Sequence, residues 1–217
     1  MERKAKICIS LSVCFLLTFI IWTFLLCLVD ISPIGPNGSS VGFAKVNGSF
    51  HSFTGVHMYL YTITDWLSIV PLGFVAGFGI IGVGQLLKRK KILLVDRSII
   101  VLGVFYIAVM AIFLLFEEVV INYRPVLIEG VLEASYPSST TMLVMCVMPT
   151  TLMQLNTRIK NRIVRYIVLT LIILFTAFMV ISRLVSGVHW FTDIIGGALL
   201  SAGLVLLYYY FCKYKLK

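Results

Sequence analysis

Long apolar runs alternate with short polar stretches along this chain. Six runs can be drawn, at residues 8–29, 67–87, 98–118, 137–155, 166–185 and 190–212. Each comes near the roughly 20 residues that an α-helix needs to cross a hydrocarbon core. The pattern predicts an all-α fold, a six-transmembrane helix bundle with an extracytoplasmic loop region, and one membrane-embedded domain over 1–217. The fourth run is the weakest, because it opens with Pro137 and a cluster of hydroxyls. The first follows Met1-Glu-Arg-Lys-Ala-Lys6, which looks like the start of a signal peptide. Its apolar stretch is too long for an h-region and no clean small-residue cleavage site follows, so it reads as a retained anchor.

Composition supports the same picture. Hydrophobic residues make up 60% of the chain and charged residues 12%, about half of the roughly 25% usual in soluble domains. No soluble core of this size hides so much apolar surface. The net charge is +9, but the charges sit in short clusters between apolar runs, which suits membrane topology and excludes a nucleic-acid surface. Arg3, Lys4 and Lys6, then Lys88–Lys91 with Arg97, then Arg158, Lys160, Arg162 and Arg165, then Lys213, Lys215 and Lys217 all fall on one side of a six-span topology. These are 15 of the 18 Lys and Arg residues. Basic residues beside short loops stay cytoplasmic, so both termini are expected inside the cell membrane. The five cysteines show neither metal-ligand spacing nor a disulfide framework and read as small apolar residues. No metal or other cofactor is expected.

Three basic residues, Lys45, Arg124 and Arg183, remain for the outer side. Arg124 and Arg183 are expected at the outer ends of the third and fifth spans, where an unpaired charge is costly. The first outer loop, about 30–66, is rich in turn signals, and its end at 57–66 reads as an interfacial helix. Asn37-Gly-Ser39 and Asn47-Gly-Ser49 fit the glycosylation pattern. Gly73, Gly77, Gly79, Gly82 and Gly84 suggest close helix packing in the second span. Trp66 and Trp190 fit an aromatic belt, and His51 and His57 are isolated loop histidines.

Three polar stretches face the outer side: Glu117 to Pro125, Tyr136 to Thr141, and Ser182 to Asp193. His189 and Asp193 are four apart, so they share a face if both are helical. A carboxylate there fixes the imidazole tautomer and leaves the other nitrogen free to attack. Arg183 and Arg124 supply guanidinium forks that match phosphate oxygens. Ser138, Ser139, Thr140 and Thr141 lie at the start of the fourth span, where free backbone N–H groups favour anions.

This constellation resembles the phosphatidic acid phosphatase type 2 superfamily of membrane lipid phosphatases. Its three motifs are Lys-x6-Arg-Pro, Pro-Ser-Gly-His and Ser-Arg-x5-His-x3-Asp. The third is complete here as Ser182, Arg183, His189 and Asp193. The first keeps Arg124 and Pro125 with Glu117 in place of lysine, and the second keeps Pro137 and Ser138 with Ser139 and Thr140 in place of glycine and histidine. The resemblance implies a His189 nucleophile that forms a phosphohistidine, oriented by Asp193. It implies that Arg124 and Arg183, with Ser138, Ser139 and Thr140, hold the phosphate. The histidine replaced by Thr140 would normally protonate the leaving group. Glu129 and Glu133, just before the second motif, are candidate substitutes.

The expected function is removal of phosphate from a lipid phosphate or diphosphate at the outer leaflet, in a bacterial-type cell membrane. The missing acid favours a diphosphate, such as a prenyl diphosphate, because phosphate leaves more readily than an alkoxide. The alternative is a catalytically impaired relative that binds a phosphorylated lipid or a partner protein. A transporter is a weaker third reading, since no charge sits at mid-membrane depth.

Overall fold

A hydroxyl-rich helix stands in the middle of this bundle, and the other helices are arranged about it. The structure is a computed structural model that describes residues 2–215; Lys217, one of the tail charges expected on the cytoplasmic side, lies outside them. The α-helices are α1 (Glu2–Leu26), α2 (Ala44–Thr54), α3 (Met58–Leu67), α4 (Ile69–Arg89), α5 (Arg97–Glu118), α6 (Ser139–Arg158), α7 (Arg162–Val185) and α8 (Phe191–Tyr210). The expected helical membrane bundle is therefore present.

Among the described residues, five helical stretches are long and apolar enough to cross a membrane: α1, α3 with α4, α5, α7 and α8 with its extension to Tyr214. The helix missing from that set is α6. Half of its 20 residues are buried, Thr140, Thr141, Thr150, Thr151 and Gln154 among them. It packs on α7, α8, α4 and α5, so its polar groups meet protein rather than lipid. Thr150 bonds back to the Cys146 carbonyl at 2.9 Å, and Gln154 donates to the Tyr208 hydroxyl at 2.7 Å. The weak apolar signal of the fourth run reflects this central place.

The most extensive helix pairing is α1 on α8. Ser12 donates to the Gly203 carbonyl at 2.7 Å, and a Cβ at Gly203 would meet Leu16 at 2.7 Å. At the end of the bundle that holds the basic clusters, Asp96 ties three helices together. It takes a 2.8 Å bond from Gln85 and ion pairs with Arg89 at 3.3 Å and Arg158 at 3.7 Å. The Gln85 bond, then the two arginines, hold its carboxyl below the usual range.

The structure revises four local expectations. The first outer loop contains two helices, α2 and α3, and α3 runs into α4 with a break at Ser68. Pro71, in the first turn of α4, lacks the N–H that would otherwise bond back to Leu67. Asn47 is fully buried, and its amide is committed to Gly42 and Thr192, so no glycan can reach it. Gly73, Gly77, Gly79 and Gly84 face open space; only Gly82 of that series is close-packed, 3.1 Å from Ile99 to a notional Cβ. Trp190 is buried and donates to the Tyr123 carbonyl at 2.7 Å, whereas Trp66 is exposed as a belt residue should be.

Candidate active site

The polar stretches meet at the end of the bundle where α5 and α7 finish and α6 and α8 begin. Each is placed by a local device. Arg124 lies beyond α5, in an irregular hairpin over 122–135, where its N–H bonds the Glu133 carbonyl at 3.0 Å. It is thus not at a helix end as the sequence suggested. The second motif is fixed by Tyr136, buried between Phe19 and Gly196 and bonded to Thr23 at 2.7 Å. In the third motif Gly187 adopts φ +69°, and a Cβ there would stand 2.1 Å from the Gly55 carbonyl oxygen. Only glycine permits this approach. It lets the turn after α7 fold against the α2–α3 connection and carry His189 inward.

His189 is 3% exposed. Its Nδ1 donates to the Ser135 carbonyl at 3.2 Å and to the Ser135 hydroxyl at 3.1 Å. A carbonyl only accepts, so the proton sits on Nδ1 and Nε2 is unprotonated. Arg124 Nη1 donates to that Nε2 across 3.4 Å. Burial first, then the Arg124 and Arg183 charges, hold the imidazole well below its ordinary value and keep it neutral.

The link from His189 to Asp193 is indirect. His189 precedes α8, so the pair do not stack as a helical i, i+4 pair, and Nδ1 stands 3.9 Å from Oδ2. The Ser135 hydroxyl fills the gap: it receives from His189 and gives a short hydrogen bond to Asp193 Oδ2. Asp193 also accepts from the Trp190 N–H at 2.9 Å, which caps α8, and from Asn122 at 3.4 Å. One carboxylate therefore caps a helix and anchors the histidine through a serine.

Arg183 is equally enclosed. Its Nη1 donates to the Tyr61 carbonyl at 3.2 Å and Thr64 at 3.1 Å, and its Nη2 donates to Thr140 at 2.6 Å. Asp65 stands 3.6 Å from the same Nη2. The Tyr61 ring lies beneath both guanidinium groups, with centroid distances of 4.6 Å to Arg183 and 5.8 Å to Arg124. Both are within cation–π reach, so the two like charges share one aromatic ring. Beside Arg183 a cleft of about 350 Å³ runs between α4, α5 and α6. Its polar end is Asp65, Ser68, Ser139 and Thr140, and the rest is apolar.

Residues 118–217 match the model of the PAP2 superfamily. This region is of PAP2 type. The resemblance drawn from the three motifs is borne out, and the matched stretch contains Arg124, Pro137 and the whole third motif. The fold extends further than the match. It is similar to the crystal structure of the first transmembrane PAP2 type phosphatidylglycerolphosphate phosphatase from Bacillus subtilis, with a TM-score of 0.63. The likeness covers 95% of this chain and 97% of that one at 21% identity, which speaks to fold alone. No curated protein matches the chain.

The PAP2 region brings together His189, Asp193, Arg124, Arg183 and Thr140. Other expected members stand elsewhere. The Ser138 hydroxyl is buried and caps α6, receiving from Thr141 Oγ1 at 3.0 Å. Ser139 faces the cleft. Glu133 is drawn in by Arg124 Nε at 3.0 Å, whereas Glu129 is exposed at the tip of the hairpin. Glu117 and Glu118 are exposed in the last turn of α5, and the carboxylates beside the arginines are Glu133 and Asp65 instead.

Sequence reasoning missed Tyr61, Thr64, Asp65, Asn122 and Ser135. The first three had a signal: they share one face of α3 at helical spacing. Asn122 and Ser135 had none beyond being polar residues near motifs.

Proposed function

We propose that this chain is an integral membrane phosphatase that removes phosphate from a lipid phosphate or diphosphate at the outer leaflet, through a phosphohistidine on His189. The observation that carries the reading is the buried, unprotonated Nε2 of His189 facing Arg124, with Arg183 sharing the same Tyr61 ring. A neutral imidazole with a fixed tautomer is a nucleophile. Two guanidinium forks stabilise the charge on the phosphoryl oxygens as the bond to phosphorus changes hands. The largely apolar cleft, polar at one end, suits a substrate whose tail stays in the bilayer while its head group reaches the arginines. No nucleic acid takes part, and both termini are cytoplasmic in this reading.

The substrate class follows from Thr140. With threonine bonded to Arg183 where the family has histidine, a leaving group of low basicity is favoured, hence a prenyl diphosphate over a monoester. Phosphate release from purified protein across a panel of lipid phosphates tests this. Prenyl diphosphate is expected to turn over at least tenfold faster than phosphatidic acid; faster release from phosphatidic acid refutes the preference, and no release from any member refutes the phosphatase reading. The second reading, a binder of phosphorylated lipid without turnover, is favoured by the loss of two basic motif residues at 117 and 140.

Ser135 acts in this scheme as a positioning residue. Ser135→Ala keeps the carbonyl that sets the tautomer but removes the hydroxyl that joins His189 to Asp193. A fall in kcat of about 10- to 100-fold is expected, the scale for removing a group that orients a reacting side chain. KM should change little, and Ser135→Thr should recover most of the rate. An unchanged kcat in Ser135→Ala would show that the hydroxyl carries nothing.

A further inference from the structure

Resting on the phosphatase reading, we propose that Asp65 of α3 is a catalytic residue that takes the part of the absent second-motif histidine, giving a proton to the leaving oxygen and later taking one from water. In-line displacement puts the leaving group opposite the nucleophile. His189 Nε2 meets Arg124, whereas Thr140 and Asp65 both stand at Arg183 Nη2, the other guanidinium of the pair. Asp65 also lines the polar end of the cleft, beside Ser139 and Thr140, where the substrate's tail joins its phosphate. Its side chain is 61% exposed, so a proton can be exchanged with solvent between turnovers.

The other carboxylates are badly placed. Glu133 is paired with Arg124 Nε, on the nucleophile's side. Glu129 sits at the hairpin tip, and Glu117 borders a separate crevice beside Tyr136 and Pro137.

The step balances as follows. The Nε2 lone pair of His189 forms a bond to phosphorus while the bond from phosphorus to the lipid oxygen breaks. The electron pair stays on that oxygen, which receives the Asp65 proton. In the second half, the Asp65 carboxylate takes a proton from water. The water oxygen bonds to phosphorus, the P–N bond returns its pair to Nε2, and phosphate leaves with Asp65 protonated again.

The test compares Asp65→Asn with wild type on two lipids, phosphatidic acid with its basic alkoxide leaving group and a prenyl diphosphate with its weakly basic one. The expected result is a loss of about 10²- to 10³-fold on phosphatidic acid and less than about fivefold on the diphosphate. Thr140→His added to Asp65→Asn should restore the phosphatidic acid rate. Equal losses on both lipids would mean that Asp65 merely steadies Arg183, and would overturn the proposal. So would wild-type turnover of the diphosphate with none of phosphatidic acid, which leaves the phosphatase reading intact. Wild-type protein inactive on both overturns that reading, and Asp65 with it.

Discussion

His189→Ala is expected to lower phosphate release by about 10⁴-fold or more while the protein stays folded. The size follows from the chemistry. Without Nε2 there is no bond from protein to phosphorus, and the arginines are left to position a substrate that only water can attack. The fold should persist because its local supports do not pass through the imidazole. Asp193 still caps α8 at the Trp190 N–H, and Gly187 still packs on Gly55. Two measurements go with the rate. Rapid quenching of wild type with labelled substrate should trap an acid-labile phosphoprotein that the variant lacks. The wild-type rate should stay flat through neutral pH and fall only below the ordinary imidazole range, because burial and two guanidinium charges resist protonation of His189. A variant that keeps more than a tenth of wild-type turnover would remove the histidine from the mechanism.

Arg183→Lys is expected to cost about 10²- to 10³-fold in kcat/KM, although the charge is kept. Arg183 serves α3 with one nitrogen and α6 with the other: Nη1 reaches Tyr61 and Thr64, and Nη2 reaches Thr140. A single ammonium cannot span both or offer a fork to phosphate. Buried acceptors left bare in this way also cost about 1–3 kcal/mol of stability, so the thermal midpoint should fall as well. KM should rise together with the drop in kcat, since both substrate and transition state use the fork. A lysine variant with unchanged kcat/KM would place the phosphate elsewhere.

Much of this architecture was legible in the chain. The apolar runs have the length of membrane helices, and basic clusters separated by those runs fall at one end of the bundle. The third motif was legible because its members are close in sequence and each has a defined chemical use. What escaped was whatever depends on distant segments meeting. The direct His189–Asp193 pairing assumed a helix through both residues, but α8 begins at Phe191. Its first turn needs Asp193 as a cap, so Ser135, 54 residues away, closes the gap. The contribution of α3 escaped for a similar reason. Nothing in Tyr61, Thr64 or Asp65 says that an arginine more than a hundred residues later will lie over them. The apparent weakness of the fourth run had a plain physical cause, burial against protein on most sides.

That inner helix has a consequence for how the molecule is made. Thr140, Thr141, Thr150, Thr151 and Gln154 gain nothing from hydrocarbon on their own. As the ribosome delivers the chain, α4 and α5 are already in place, but α7 and α8, which complete its surroundings, have yet to emerge. This segment therefore settles across the bilayer only as its later neighbours arrive. The polar groups gathered at its N-terminal end come together last, so a half-built copy lacks the candidate site.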